Sequence, residues 1–177
     1  VAAGGASGWA QTFDAARAEP LIEADARWQP LFGSLRFDPS RRALIGDPEG
    51  GWNVDRGDDY AFRLDRPMSS AELVIDGWWD GAGSIGVQGS VQSAAPHRLY
   101  EATLWRGRLG LIYFEGPEPS DFGYLAESDN EPVDAGHYRV VFRMEREDIA
   151  WLLTATLQDA ADDYRTVAQV SARDARL

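Results

Sequence analysis

Apolar side chains recur at every second position through most of this 177-residue chain. A period of two is that of a β-strand with one face buried, and it does not fit the 3.6-residue period of a helix. The runs Tyr60-Ala61-Phe62-Arg63-Leu64, Tyr100-Glu101-Ala102-Thr103-Leu104 and Tyr138-Arg139-Val140-Val141-Phe142-Arg143-Met144 show it most clearly. Further strands are expected over Ala10–Asp14, Leu31–Asp38, Ala43–Ile45, Ala71–Trp78, Ser84–Gln88, Arg108–Phe114, Ile149–Gln158 and Tyr164–Ser171. Turn-forming clusters such as Asp47-Pro48-Glu49-Gly50-Gly51 and Asp80-Gly81-Ala82-Gly83 separate them. The helical signal is confined to Asp14–Arg27, where Pro20 allows no more than a short turn. Residues 97–114 read as one long hairpin, because Arg106-Gly107 joins two alternating runs and glycine tolerates positive φ. The acidic stretch from Pro117 to Pro132 reads as a long excursion with a short edge strand over Phe122–Ala126. The fold expected is all-β: an antiparallel, jelly-roll-like β-sandwich of two packed sheets, with about 10–12 strands and little helix. At this length one domain over residues 1–177 is expected, with a flexible start over residues 1–8.

Composition removes whole classes of chemistry. Seventeen basic residues, all of them Arg, stand against 29 acidic ones, for a formal net charge of −12. A phosphate polymer would meet a surface of its own sign, so nucleic acid is not an expected partner. No Cys is present, which excludes disulfides, thiolate metal sites and thiol catalysis, and the two histidines, His97 and His137, are too few for a multi-histidine metal centre. No stretch approaches the roughly 18 uncharged apolar residues of a membrane-spanning helix. The opening Val1-Ala2-Ala3-Gly4-Gly5-Ala6-Ser7-Gly8 fits a processed start or a domain boundary, and a secreted or extracytoplasmic location is expected. Nothing in the chain specifies an oligomeric state.

Alternation also sorts the polar side chains by face. If the strands share one sheet, their outward sets gather Asp76, Trp78, Gln88, Glu101, Trp105, Arg139, Arg143, Thr154 and Thr156. Carboxylates, amides, guanidinium forks and flat aromatic rings suit a sugar, whose hydroxyls donate and accept hydrogen bonds and whose apolar ring face packs on indole. The ligand-binding candidates are therefore Trp78, Gln88, Glu101, Trp105, Arg139 and Arg143, with a polysaccharide or oligosaccharide as the partner. The same set is also what a merely solvated sheet face with cross-strand charge pairs would carry, as in a structural or protein-interaction module. Glycoside hydrolysis needs two carboxyls roughly 5–10 Å apart, for which Asp76 and Glu101 are the cross-strand candidates. His137, beside the turn at Gly136, reads as an ordinary strand-entry residue.

The run Tyr100-Glu101-Ala102-Thr103-Leu104-Trp105-Arg106-Gly107-Arg108-Leu109-Gly110-Leu111 resembles the concanavalin A-like lectin and glucanase superfamily, with its laminin-G-like carbohydrate modules. So do Phe13-Asp14 and the strand Gly136-His137-Tyr138-Arg139-Val140-Val141-Phe142-Arg143, with a Trp151-containing strand after it. The resemblance implies a carbohydrate-associated sandwich, and its branches offer an enzymatic alternative. The Glu-x-Asp-x-x-Glu pattern of the glucanase branch is absent. The lyase branch implies proton abstraction beside a uronic carboxylate, for which His97, Tyr100, Arg139 and Gln88 supply the group types. No cofactor is required for binding. Ca²⁺ is the one candidate ion, with oxygen ligands from Asp55, Asp58 and Asp59, or from Asp129, Asn130, Glu131 and Asp134.

Overall fold

The computed structural model describes residues 28–32, 36–38, 43–45, 59–62, 70–90, 98–116 and 121–177. The chain divides into two compact units, residues 1–65 and 66–177. In the first unit, β1 (Trp28–Phe32) pairs antiparallel with β4 (Asp59–Phe62), and β2 (Arg36–Asp38) with β3 (Ala43–Ile45). The single strand expected over Leu31–Asp38 is thus two, β1 and β2, with different partners. The register of β1 slips between Pro30 and Phe32, where proline has no N–H to continue a ladder. The expected strand Ala10–Asp14 and the helical stretch Asp14–Arg27 lie outside the described residues.

The second unit is an antiparallel β-sandwich. Its strands are β5 (Ser70–Trp79), β6 (Ser84–Ser90), β7 (Leu99–Trp105), β8 (Arg108–Phe114), β9 (Phe122–Glu127), β10 (Gly136–Glu147), β11 (Ala150–Asp159) and β12 (Arg165–Asp174). They form two four-stranded sheets, in the orders β12-β11-β10-β5 and β6-β7-β8-β9. A 3₁₀ turn, Ala160–Asp162, joins β11 to β12, and among the described residues no helix is long and apolar enough to cross a membrane.

The inward set of each strand makes the core. Tyr100, Ala102, Leu104, Leu109 and Leu111 from one sheet meet Val140, Phe142, Leu153, Ala155 and Leu157 from the other, all of them sealed from solvent. Burying each of the larger side chains is worth about 1.5–3 kcal/mol, so the contact between sheets is the main stabilising term. One polar link crosses this core: the Tyr100 hydroxyl donates to Asp174 Oδ2 at 2.9 Å. Burial, with the Asp174 carboxylate beside it, pushes the phenol well above its usual range, so Tyr100 remains a neutral donor.

Two turns hold the sheet β6-β7-β8-β9 in register. Trp105 lies opposite Arg108, so the β7–β8 loop has two residues, and Arg106 (φ 52°) and Gly107 (φ 77°) both take the left-handed conformation of a primed hairpin turn. The Gly107 carbonyl accepts from Val133 N at 2.9 Å, and a Cβ on Gly107 would stand 2.7 Å from Pro132 Cβ and 2.8 Å from Val133 O. The acidic excursion is tied down by Ser128, whose hydroxyl accepts from Leu109 N at 3.0 Å and whose N–H donates to the Leu109 carbonyl at 2.8 Å. Gly107→Ala combines left-handed strain with a clash against backbone and should destabilise the unit by about 2 kcal/mol or more, measured by urea unfolding. Unchanged stability would mean that the β9–β10 connection is not packed on this turn.

Candidate functional site

The outward sets fall on two opposite layers. On the sheet β12-β11-β10-β5, the ladders of β10 place His137 opposite Trp78, Arg139 opposite Asp76, Val141 opposite Val74 and Arg143 opposite Glu72. On its other side β10 sets Arg139 against Gln158, Val141 against Thr156 and Arg143 against Thr154. Strand β12 adds Thr166, Gln169 and Ser171 opposite Gln158, Thr156 and Thr154. The register shift at Leu157/Gln158 brings Thr166 across from Gln158, which a regular ladder would not do.

Asp76 is the hub of this face. Its Oδ1 bonds His137 Nε2, and its Oδ2 accepts from Arg139 Nε at 2.9 Å, with Arg139 Nη2 at 2.7 Å. The Tyr164 side chain also bonds this carboxylate. Tyr164 is brought there by the tight β11–β12 connection. Asp159 caps the 3₁₀ turn by accepting from Ala161 N at 2.9 Å, and Asp163 and Tyr164 both have positive φ. The Arg139 guanidinium lies 3.7 Å from the centroid of the Tyr164 ring, so it is held from two sides. Burial alone would raise the Asp76 carboxyl, but hydrogen bonds from Arg139, His137 and Tyr164, with the charge of Arg139, outweigh it and hold the group below its ordinary value.

Trp78 stacks on His137 with ring centroids 5.2 Å apart and planes 16° from parallel, yet 77% of its surface stays in solvent. On the same face, across β10, β11 and β12, lies an open depression of about 240 Å³ lined by Val141, Arg143, Thr156, Gln158, Thr166 and Gln169. Arg143 Nε donates to Glu72 Oε2 at 2.5 Å, and Thr154 bonds Ser171 at 3.2 Å. The face therefore combines one exposed indole, three arginines already engaged by carboxylates (Arg139, Arg143 and, with Glu147, Arg173), and a set of hydroxyls and amides.

The other sheet carries the remaining candidates. Gln88 Nε2 donates to Glu101 Oε2 at 2.9 Å across β6 and β7. Trp105 lies at the β7–β8 turn with the Arg106 guanidinium 4.2 Å from its ring centroid. Between them Thr103 is only 4% exposed, flanked by Gly86 and Gly110.

The structure therefore corrects the expectation of one shared polar face. Trp78, Arg139 and Arg143 lie together with Asp76, Thr154 and Thr156, but Gln88, Glu101 and Trp105 belong to the opposite layer. Asp76 and Glu101, on separate sheets, do not form a carboxylate pair across a cleft. Tyr100 points into the core and is fully buried, so it is not an outward acid or base. His97, Asp55 and Asp58 lie outside the described residues, and of Asp59 only its place at the start of β4 is described. Among the described residues no group of three or more His, Asp or Glu is placed to hold a metal ion, the Asp129–Asp134 turn included. His137 and Tyr164 complete the Asp76 hub. For His137 the alternation marked an outward position beside Arg139; for Tyr164 the signal was only a turn rich in Asp. Comparison with family models, curated proteins and solved structures finds no significant match.

Because Asp76 is held below the ordinary carboxylate value of 3.8, it contributes stability at neutral pH that is lost as pH falls through its lowered value in the fold. Replacing it by Asn should lower stability at neutral pH while removing part of the loss seen below about pH 4 in urea titrations. An acid limb identical to wild type would show that the hub does not tune this carboxylate.

Proposed function

We propose that the sandwich unit is a carbohydrate-binding module that takes an oligosaccharide or a polysaccharide segment on the outer face of the sheet β12-β11-β10-β5. The observation that carries this reading is Trp78: a large apolar ring 77% in solvent, held by stacking on His137, on the same sheet face as a depression lined with Thr, Gln and Arg side chains. A pyranose presents an apolar ring face to an indole and hydroxyls to amides and hydroxyl groups, so one ligand uses both features. A lone exposed Leu or Val would carry no such meaning, but an exposed indole locked in place against a neighbouring ring has already lost the rotamer freedom that binding would cost. The concanavalin A-like strand run is compatible with this reading. Polysaccharide cleavage receives less support, since the two expected carboxyls are on opposite layers.

Titration with oligosaccharides, followed by tryptophan fluorescence and calorimetry, tests the proposal. Wild type should bind at least one glycan, and Trp78→Ala should weaken it about tenfold or more, the loss of one aromatic stacking contact. Because Trp78 is exposed, its removal should leave thermal stability nearly unchanged. Binding that survives Trp78→Ala at full strength would contradict the assignment of this face.

A further inference from the structure

Resting on that reading, we infer that the face selects neutral glycans and discriminates against uronate-containing ones. The argument is one of charge already spent. A guanidinium recognises a sugar carboxylate through its N–H groups, and each arginine of this face is already paired with a protein carboxylate: Arg139 with Asp76, Arg143 with Glu72 and Arg173 with Glu147. Arg139 places Nε and Nη2 on Asp76 Oδ2 and lies over the Tyr164 ring; Arg143 directs Nε to Glu72 Oε2. An incoming uronate must displace Glu72 or Asp76, or else approach those carboxylates with like charge. The chain as a whole carries −12, so no long-range field compensates that repulsion.

Apart from Arg143, whose Nε is engaged by Glu72, the groups that line the depression are uncharged. Thr156, Gln158, Thr166 and Gln169 line the depression and have no side-chain hydrogen bond to any described residue. Each amide offers donors and an acceptor, and each hydroxyl both, which matches the mixed donor and acceptor pattern of neutral sugar hydroxyls. These four residues come from two neighbouring strands, and Val141 and Arg143 of β10 extend the depression to a third, about 10 Å across the strands. Glu72 and Asp76 thus act as specificity-determining residues through the arginines they neutralise.

Calorimetric titration with matched pairs tests this: manno-oligosaccharides against oligomannuronates, and galacto- against galacturono-oligosaccharides of equal length, at low and high salt. The neutral member should bind about tenfold or more tightly than its uronate partner, with little salt dependence. Glu72→Gln should release Arg143 and raise uronate affinity about threefold or more at low salt, a gain that salt removes. Tighter binding of the uronates by wild type, or no gain in Glu72→Gln, would overturn the selectivity while leaving glycan binding intact. If no member of any pair binds, the proposed function itself fails, and the selectivity with it.

Discussion

Strand β10 is the constraint on which the rest of the site depends. It is a central strand of its sheet, laddered to β5 on one side and to β11 on the other. Its inward residues Val140, Phe142 and Met144 are buried against the facing sheet. Because side chains alternate strictly, anchoring that inward set forces His137, Arg139, Val141 and Arg143 outward. The β5 ladder then brings Asp76 beside residues 61 and 63 positions away in sequence. A one-residue slip in this pairing would send Arg139 into the core and dissolve the hub.

The hub also shows how a polar surface acquires a defined shape. An exposed ion pair usually contributes between nothing and about 1 kcal/mol, so Arg143 with Glu72 adds little to stability. Asp76 differs because three groups from two places in the fold converge on it: Arg139 and His137 on β10, and Tyr164 beyond the 3₁₀ turn. Arg139 is then fixed by both a carboxylate and an aromatic face, and His137 supports the Trp78 indole. What results is a pre-ordered outer face whose arginines are paired with carboxylates, and on this the proposed preference for hydroxyl-rich, uncharged ligands rests.

Much of the fold was legible in the alternation pattern. The strands from Ser70 onward fall close to their expected positions, and Trp151, Leu153, Ala155 and Leu157 face inward as their spacing requires. The Arg106-Gly107 turn was legible because positive φ has a residue signature. Sheet membership was not. Alternation says that Glu101 and Arg139 point outward, but which layer each joins is decided by non-local pairing, and no short-range pattern encodes it. The change of partner within Leu31–Asp38 is hidden for a similar reason, since an apolar run does not reveal where its pairing partner changes. Tyr164 was invisible as a site residue because its position depends on a cap, two left-handed residues and a register shift acting together.

The claim that the β12-β11-β10-β5 face is the binding surface is tested most directly by amide and indole NMR shifts during titration with a neutral oligosaccharide. Of the seven tryptophan indole signals, that of Trp78 should move, with the amides of Val141, Thr156, Gln158, Thr166 and Gln169, while Trp105 and Trp151 stay still. Shifts gathered instead on β6 to β9, around Glu101 and Trp105, would place the ligand on the opposite layer and contradict the account.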